Sequence, residues 1–69
     1  MEIIRLREDY IKLGQALKAA GLAESGTAAK EAVLAGKVLV NGSVELQRGK
    51  KLYDGDVVSY QGQEIKIVK

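Results

Sequence analysis

Residues 25–60 read SGTAAKEAVLAGKVLVNGSVELQRGKKLYDGDVVSY, and the order of signals in this stretch decides the fold. Ser25, Gly26 and Thr27 supply helix-cap groups ahead of Ala28 to Ala35, where Ala29, Ala32 and Val33 form a narrow apolar stripe that stops at Gly36. Val38 to Val40 then reads as a strand. It runs into Asn41-Gly42, the dipeptide that best supplies the positive φ angles of a tight hairpin turn. Val44 and Leu46 continue the return strand. Arg48-Gly49-Lys50-Lys51 has no apolar period and reads as a basic loop, and Asp54-Gly55-Asp56 turns the chain into a strand from Val57 to Tyr60.

Upstream, Leu13, Ala16, Leu17 and Ala20 stand at helical spacing and predict a first helix, with Gly14 as its N-cap and Gly21 as a left-handed stop. The connection from Gly21 to Gly26 is short, so the two helices form an αα-hairpin, and their alanines permit close approach. Glu2 to Arg7 predicts an edge strand, because Ile4 and Leu6 alternate with Arg5 and Arg7. Downstream, Gln61-Gly62 turns the chain into a last strand, Glu64 to Val68. A strand, two helices and four short strands imply an α+β fold, a two-helix hairpin packed on a small, mainly antiparallel, twisted sheet, in a single domain over residues 1–69.

A chain of 69 residues buries only about 60% of its unfolded surface, so the core is thin. Hydrophobic residues make up 46% of it but aromatics only 4%, so aliphatic side chains must fill the interior. Tyr10, Tyr53 and Tyr60 are the only rings, and stacking platforms are scarce. Without cysteine there is neither a disulfide nor a thiolate metal site to staple the fold. The opening MEIIRLREDY alternates apolar and charged residues, unlike a signal peptide or a membrane span, and a cytoplasmic location is expected. The formal charge is only +2, but it is unevenly spread: residues 12–51 carry +4 and each flank carries −1. Folding that gathers the middle segment onto one face raises the local potential above what the net charge suggests.

Enzymatic readings find little support. The chain has no His or Cys, and Ser25, Ser43 and Ser59 lack an obvious base. Asp54 and Asp56 read as turn formers, since the further oxygen ligands of a calcium loop are missing. No glycine-rich phosphate-loop pattern occurs among the eight glycines. No enzyme activity and no cofactor are expected. What remains is the start of the second helix, where N–H groups at Gly26 to Ala28 and the hydroxyls of Ser25 and Thr27 make a seat for phosphate, bordered by Lys30 and Lys37. Ordinary capping explains the same residues. Arg48, Lys50 and Lys51 add three mutually repelling cations within four residues, and a nucleic-acid backbone relieves that repulsion through counterion release.

Together, Ser25, Ala29-Lys30, Gly36-Lys37-Val38-Leu39-Val40-Asn41-Gly42 and Gly55-Asp56-Val57-Val58 resemble the RNA-binding domain family of the ribosomal-protein S-four type, whose core is the alpha-L motif. The resemblance covers nearly the whole chain. Ile11-Lys12-Leu13 with Leu17 and Gly21-Leu22 looks like the family's first helix, and Arg48-Gly49-Lys50-Lys51-Leu52 resembles its small stand-alone bacterial members. Carried over by position, the resemblance implies that Lys12, Lys18, Ser25, Lys30 and Lys37 lie on an RNA face that Arg48, Lys50 and Lys51 extend. It also implies a partner of structured RNA, chiefly ribosomal or transfer RNA, the ribosome included, recognised through shape and phosphates; a monomer is expected. One departure stands out: the family often has Arg directly after the capping Ser, and here that position is Gly26.

Two other readings use the same residues. A protein-interaction module would offer the edge strand at Glu2 to Arg7, or the C-terminal strand, to a partner strand. An accessory domain would deliver RNA to a separate enzyme.

Overall fold

The computed structural model describes residues 2–69. Seven strands and two helices follow in order: β1 (Glu2–Arg5), β2 (Ile11–Lys12), α1 (Leu13–Ala19), α2 (Gly26–Leu34), β3 (Val38–Val40), β4 (Ser43–Val44), β5 (Lys51–Leu52), β6 (Val57–Tyr60) and β7 (Gln63–Val68). A five-stranded sheet has the order β1-β7-β6-β3-β4, and β2 and β5 form a separate two-stranded ribbon. Every pairing is antiparallel except β1 with β7. The α+β class with a mainly antiparallel sheet is therefore as expected.

Both helices end the same way, for a reason visible in sequence. Gly21 and Gly36 take φ of 75° and 74°, the left-handed conformation that L side chains avoid. This lets the N–H of Leu22 reach the carbonyl of Leu17 at 2.9 Å, and that of Lys37 reach Ala32 at 3.3 Å. Each bond satisfies an orphan carbonyl of the last turn and fixes the exit direction of the chain. At the other end of α2 the Ser25 hydroxyl accepts the Ala28 N–H at 3.1 Å, so Ser25 is the N-cap and the helix starts at Gly26, not Ala28.

The apolar stripes meet in one core. Leu13, Ala16 and Leu17 of α1 and Ala29, Ala32 and Val33 of α2 are buried against Val38, Val40, Val58, Ile65 and Ile67 of the sheet. Register explains the sheet half: Val40, Val58 and Ile65 stand side by side across β3, β6 and β7. No polar side chain is buried among the described residues, so the interior carries no desolvation penalty.

Four expectations need correction. Strand β1 ends at Arg5, although the Leu6 N–H still reaches the Val68 carbonyl at 2.7 Å, because the chain leaves the sheet toward the ribbon. The C-terminal strand is no edge: β7 lies between β1 and β6, and the edges are β1 and β4. Gly14 is not the N-cap of α1; Lys12 holds that position and Gly14 is buried in the first turn. Finally, Ile11–Lys12 is strand, not helix, and Lys51 is not loop, because the two segments pair with each other.

Candidate nucleic-acid interface

The ribbon β2–β5 joins two segments 40 residues apart in the chain, pairing Ile11 with Leu52 and Lys12 with Lys51. Leu52, fully buried, anchors it to the core. The loop ahead of β5 then lies against the start of α1. The N–H groups of Leu13 and Gly14 donate to the carbonyls of Lys50 and Arg48, at 2.8 and 3.0 Å. The basic loop thus uses its backbone to satisfy the open end of α1, while Arg48, Lys50 and Lys51 remain exposed.

Gly14 accommodates this contact. A Cβ at position 14 would stand 2.8 Å from Arg48 Cγ, closer than side-chain carbons pack. The Arg48 stem therefore rests on helix backbone, which limits where its guanidinium can go.

The result is a depression of about 330 Å³ lined by Lys12 at the end of β2, by Gln15 and Lys18 of α1, by Gly26 at the start of α2, and by Arg48 and Gly49 of the loop. Helical geometry accounts for Gln15 and Lys18, since positions spaced by three residues share a face, while Lys12 stands at the N-cap where β2 runs into α1. That spacing was legible in sequence, so Gln15 is the lining residue that inspection for charge alone passes over. Ser25 and Thr27 flank Gly26 and are exposed. With the Ala28 N–H taken by the Ser25 hydroxyl and that of Ala29 by the Ser25 carbonyl, the N–H groups of Gly26 and Thr27 have no acceptor among the described residues. They add the positive end of the α2 dipole to the depression.

Not every expected cation joins this group. Lys30 is exposed one turn beyond Gly26 on α2, outside the lining. Lys37 lines a separate shallow depression with Glu31 and Tyr60. Lys50 contributes its carbonyl to α1, and Lys51 sits with its ammonium 4.8 Å from the centre of the Tyr10 ring. Among the described residues, none of the seven cations from Lys12 to Lys51 makes a salt bridge with an acid; the ion pair present is Lys69 with Asp9, at 2.8 Å. The Lys69 hydrogen bond and charge hold the Asp9 carboxyl below its ordinary range, and Asp9 raises Lys69 in return. Both groups are solvent-exposed, so this is a salt-screened clasp between chain ends.

The turns play a different part. Asn41 takes φ of 51°, accepts the Val57 N–H at 2.9 Å through its side-chain carbonyl and donates to the Asp56 carboxylate at 3.1 Å. The other oxygen of Asp56 accepts the Tyr53 N–H at 2.8 Å. Asn41 and Asp56 therefore staple the β3–β4 turn to the β5–β6 turn, and both are structural. Among the described residues no three His, Cys, Asp or Glu side chains cluster as a metal site, and no helix is long and apolar enough to cross a membrane.

Comparison with known proteins agrees with this architecture. The chain is 36% identical over 62 residues to YbcJ of Escherichia coli K12, whose name refers to RNA binding, spanning 90% of this chain and 89% of that protein. It is 44% identical over 59 residues to RlbA of Bacillus subtilis 168, whose name refers to ribosome maturation, spanning 86% and 83%. The solution structure of E. coli YbcJ, described as revealing an αL motif involved in RNA binding, superposes with a TM-score of 0.76 at 34% identity. That match covers all of this chain and 89% of the other. The family model of the S4 domain matches residues 4–68. The chain belongs to the S4 domain family.

Proposed function

We propose that this protein binds structured RNA, in the first place ribosomal RNA and in the second transfer RNA, through phosphate and 2′-hydroxyl contacts. The observation that carries the reading is the convergence of Lys12, Lys18 and Arg48, all exposed and without acidic partners among the described residues, on the open N–H groups at the start of α2. Cations around an unsatisfied helix end fit a polyanion track. The ribosome-maturation name of the Bacillus subtilis relative favours ribosomal RNA. Lys30 extends the track along α2, Lys50 and Lys51 along the ribbon, Ser25 and Thr27 offer hydroxyls beside it, and Lys37 meets more distant phosphates. The protein then works as a cytoplasmic monomer whose partner is the RNA, with recognition resting on shape more than on base sequence.

A filter-binding series over salt tests this. If five or six phosphates are neutralised, log affinity for ribosomal RNA falls against log salt with a slope of roughly −4 to −5, at about 0.7 to 0.9 per contact. An affinity that scarcely moves with salt would sink the proposal.

Gly26 yields a gain-of-function check. A Cβ there meets nothing within 4 Å and the backbone has no positive φ, so a longer side chain fits without strain. Gly26→Arg restores the cation common in the family and is expected to tighten RNA binding roughly threefold to tenfold at moderate salt, steepening the slope by about 0.7 to 0.9. The loss of glycine from a first helical turn also stabilises the fold slightly. An unchanged slope would mean that RNA does not pass over the start of α2.

A further inference from the structure

A second depression, of about 310 Å³, shares Gln15 with the first and is formed where the chain leaves β1 and returns toward α1. Its apolar part comes from Ile4, Leu6, Tyr10 and Ile11. Its charged part comes from Arg5 and Arg7, with Glu8 as the acid on that lining. Neither arginine makes a salt bridge among the described residues. Tyr10 is 38% exposed, lies 6.1 Å from Tyr53 at 51° between ring planes, and carries the Lys51 ammonium over its ring. Two of the three rings of the chain are thus neighbours, and one of them lines a depression with two arginines, in a molecule whose composition argued against a stacking surface.

We propose that this depression is a subsite for an unpaired nucleotide of the bound RNA, its base against Tyr10 and the apolar floor and its phosphates toward Arg5 and Arg7. The inference rests on the RNA-binding reading above and adds a ligand element to it. An apolar floor with an aromatic wall matches the face of a base, which stacks on aromatic rings whatever its sequence, while the two guanidiniums match the flanking phosphates. A purely helical RNA has no splayed base to place there, whereas unpaired residues at junctions, bulges and ends do. Gln15 lines both depressions, so a strand emerging from a helix held at Lys12, Lys18 and Arg48 passes directly into the second. Glu8 opposes phosphate but accepts from the exocyclic amino group of adenine or cytosine, which makes adenine the informative probe.

The test compares a blunt RNA duplex with the same duplex bearing a short single-stranded adenine overhang, by fluorescence anisotropy at low salt. The overhang should tighten binding by roughly tenfold to a hundredfold, the worth of one stacked base. Tyr10→Ala should erase that advantage and leave the blunt duplex bound as before, while Tyr10→Phe keeps it. Arg5→Gln with Arg7→Gln should make the salt slope shallower by about 1.4 for the overhang RNA only. Equal affinity of the two RNAs, or an equal loss for both in Tyr10→Ala, would overturn this subsite and leave the parent reading in place. Failure of both RNAs to bind would overturn both readings. Because Tyr10 is exposed, its variants keep the fold, and a thermal melt verifies this.

Discussion

Replacing Lys12, Lys18 and Arg48 together by glutamate is expected to lower affinity for ribosomal RNA by at least about a thousandfold while the protein remains folded. Each side chain is exposed and lines the depression, and none makes a salt bridge among the described residues, so no ion pair holding the fold is lost. A charge-assisted hydrogen bond contributes about 1.5 kcal/mol or more, and three such contacts amount to some three decades of affinity. Reversal exceeds removal because the new carboxylates repel the phosphates. Binding by the wild type and the triple variant, measured alongside circular dichroism, decides the matter. A well-folded variant that keeps its ribosome association would shift the interpretation toward strand addition at the free edges β1 or β4.

The second large effect concerns stability. Asn41→Ala is expected to cost about 2 to 3 kcal/mol: two side-chain hydrogen bonds at about 1 kcal/mol each, and about 1 kcal/mol for holding alanine in the left-handed region. The bonds are those to the Val57 N–H and the Asp56 carboxylate. In a domain of this size each kcal/mol moves Tm by about 4 to 8 °C, so the melt should fall by roughly 10 to 20 °C. Asn41→Gly keeps the backbone conformation and loses only the bonds, so it should fall less. Asn41 lines neither depression, and RNA affinity measured well below the melt should be unchanged. A Tm within about 3 °C of wild type would show that the staple between the two turns contributes little to stability.

The elements most legible in sequence are those whose cause is local. The Ala29, Ala32 and Val33 stripe, the glycine stops of both helices and the Asn41-Gly42 hairpin each follow from the conformational preference of a few adjacent residues, and each is found where periodicity and turn chemistry place it. The ribbon β2–β5 was not legible. Two residues on each side carry no period, and their strand state exists only because Ile11 meets Leu52 across the fold. Gly14 was misread for the same reason: beside a helix start a glycine reads as a cap, and only the approach of Arg48 shows what it accommodates.

The candidate site divides along the same line. The types and rough positions of its cations, the capping Ser25 and the absence of an arginine at position 26 are facts of the chain. Which of those cations act together is not. Lys12 and Lys18 share a depression with Arg48, while Lys37 faces another, because the loop carbonyls of Arg48 and Lys50 bind the start of α1. Arg5, Arg7 and Tyr10 belong to a flank with net negative charge and read in sequence as strand and composition features, not as a site, yet the fold brings them beside α1. By itself the sequence determined the two helices with their glycine stops, the Asn41-Gly42 hairpin and the family resemblance, since these depend on contacts within a few residues. Only the tertiary structure decided which side chains share each candidate depression, because electrostatic and stacking surfaces depend on distances in space between segments that the chain keeps far apart.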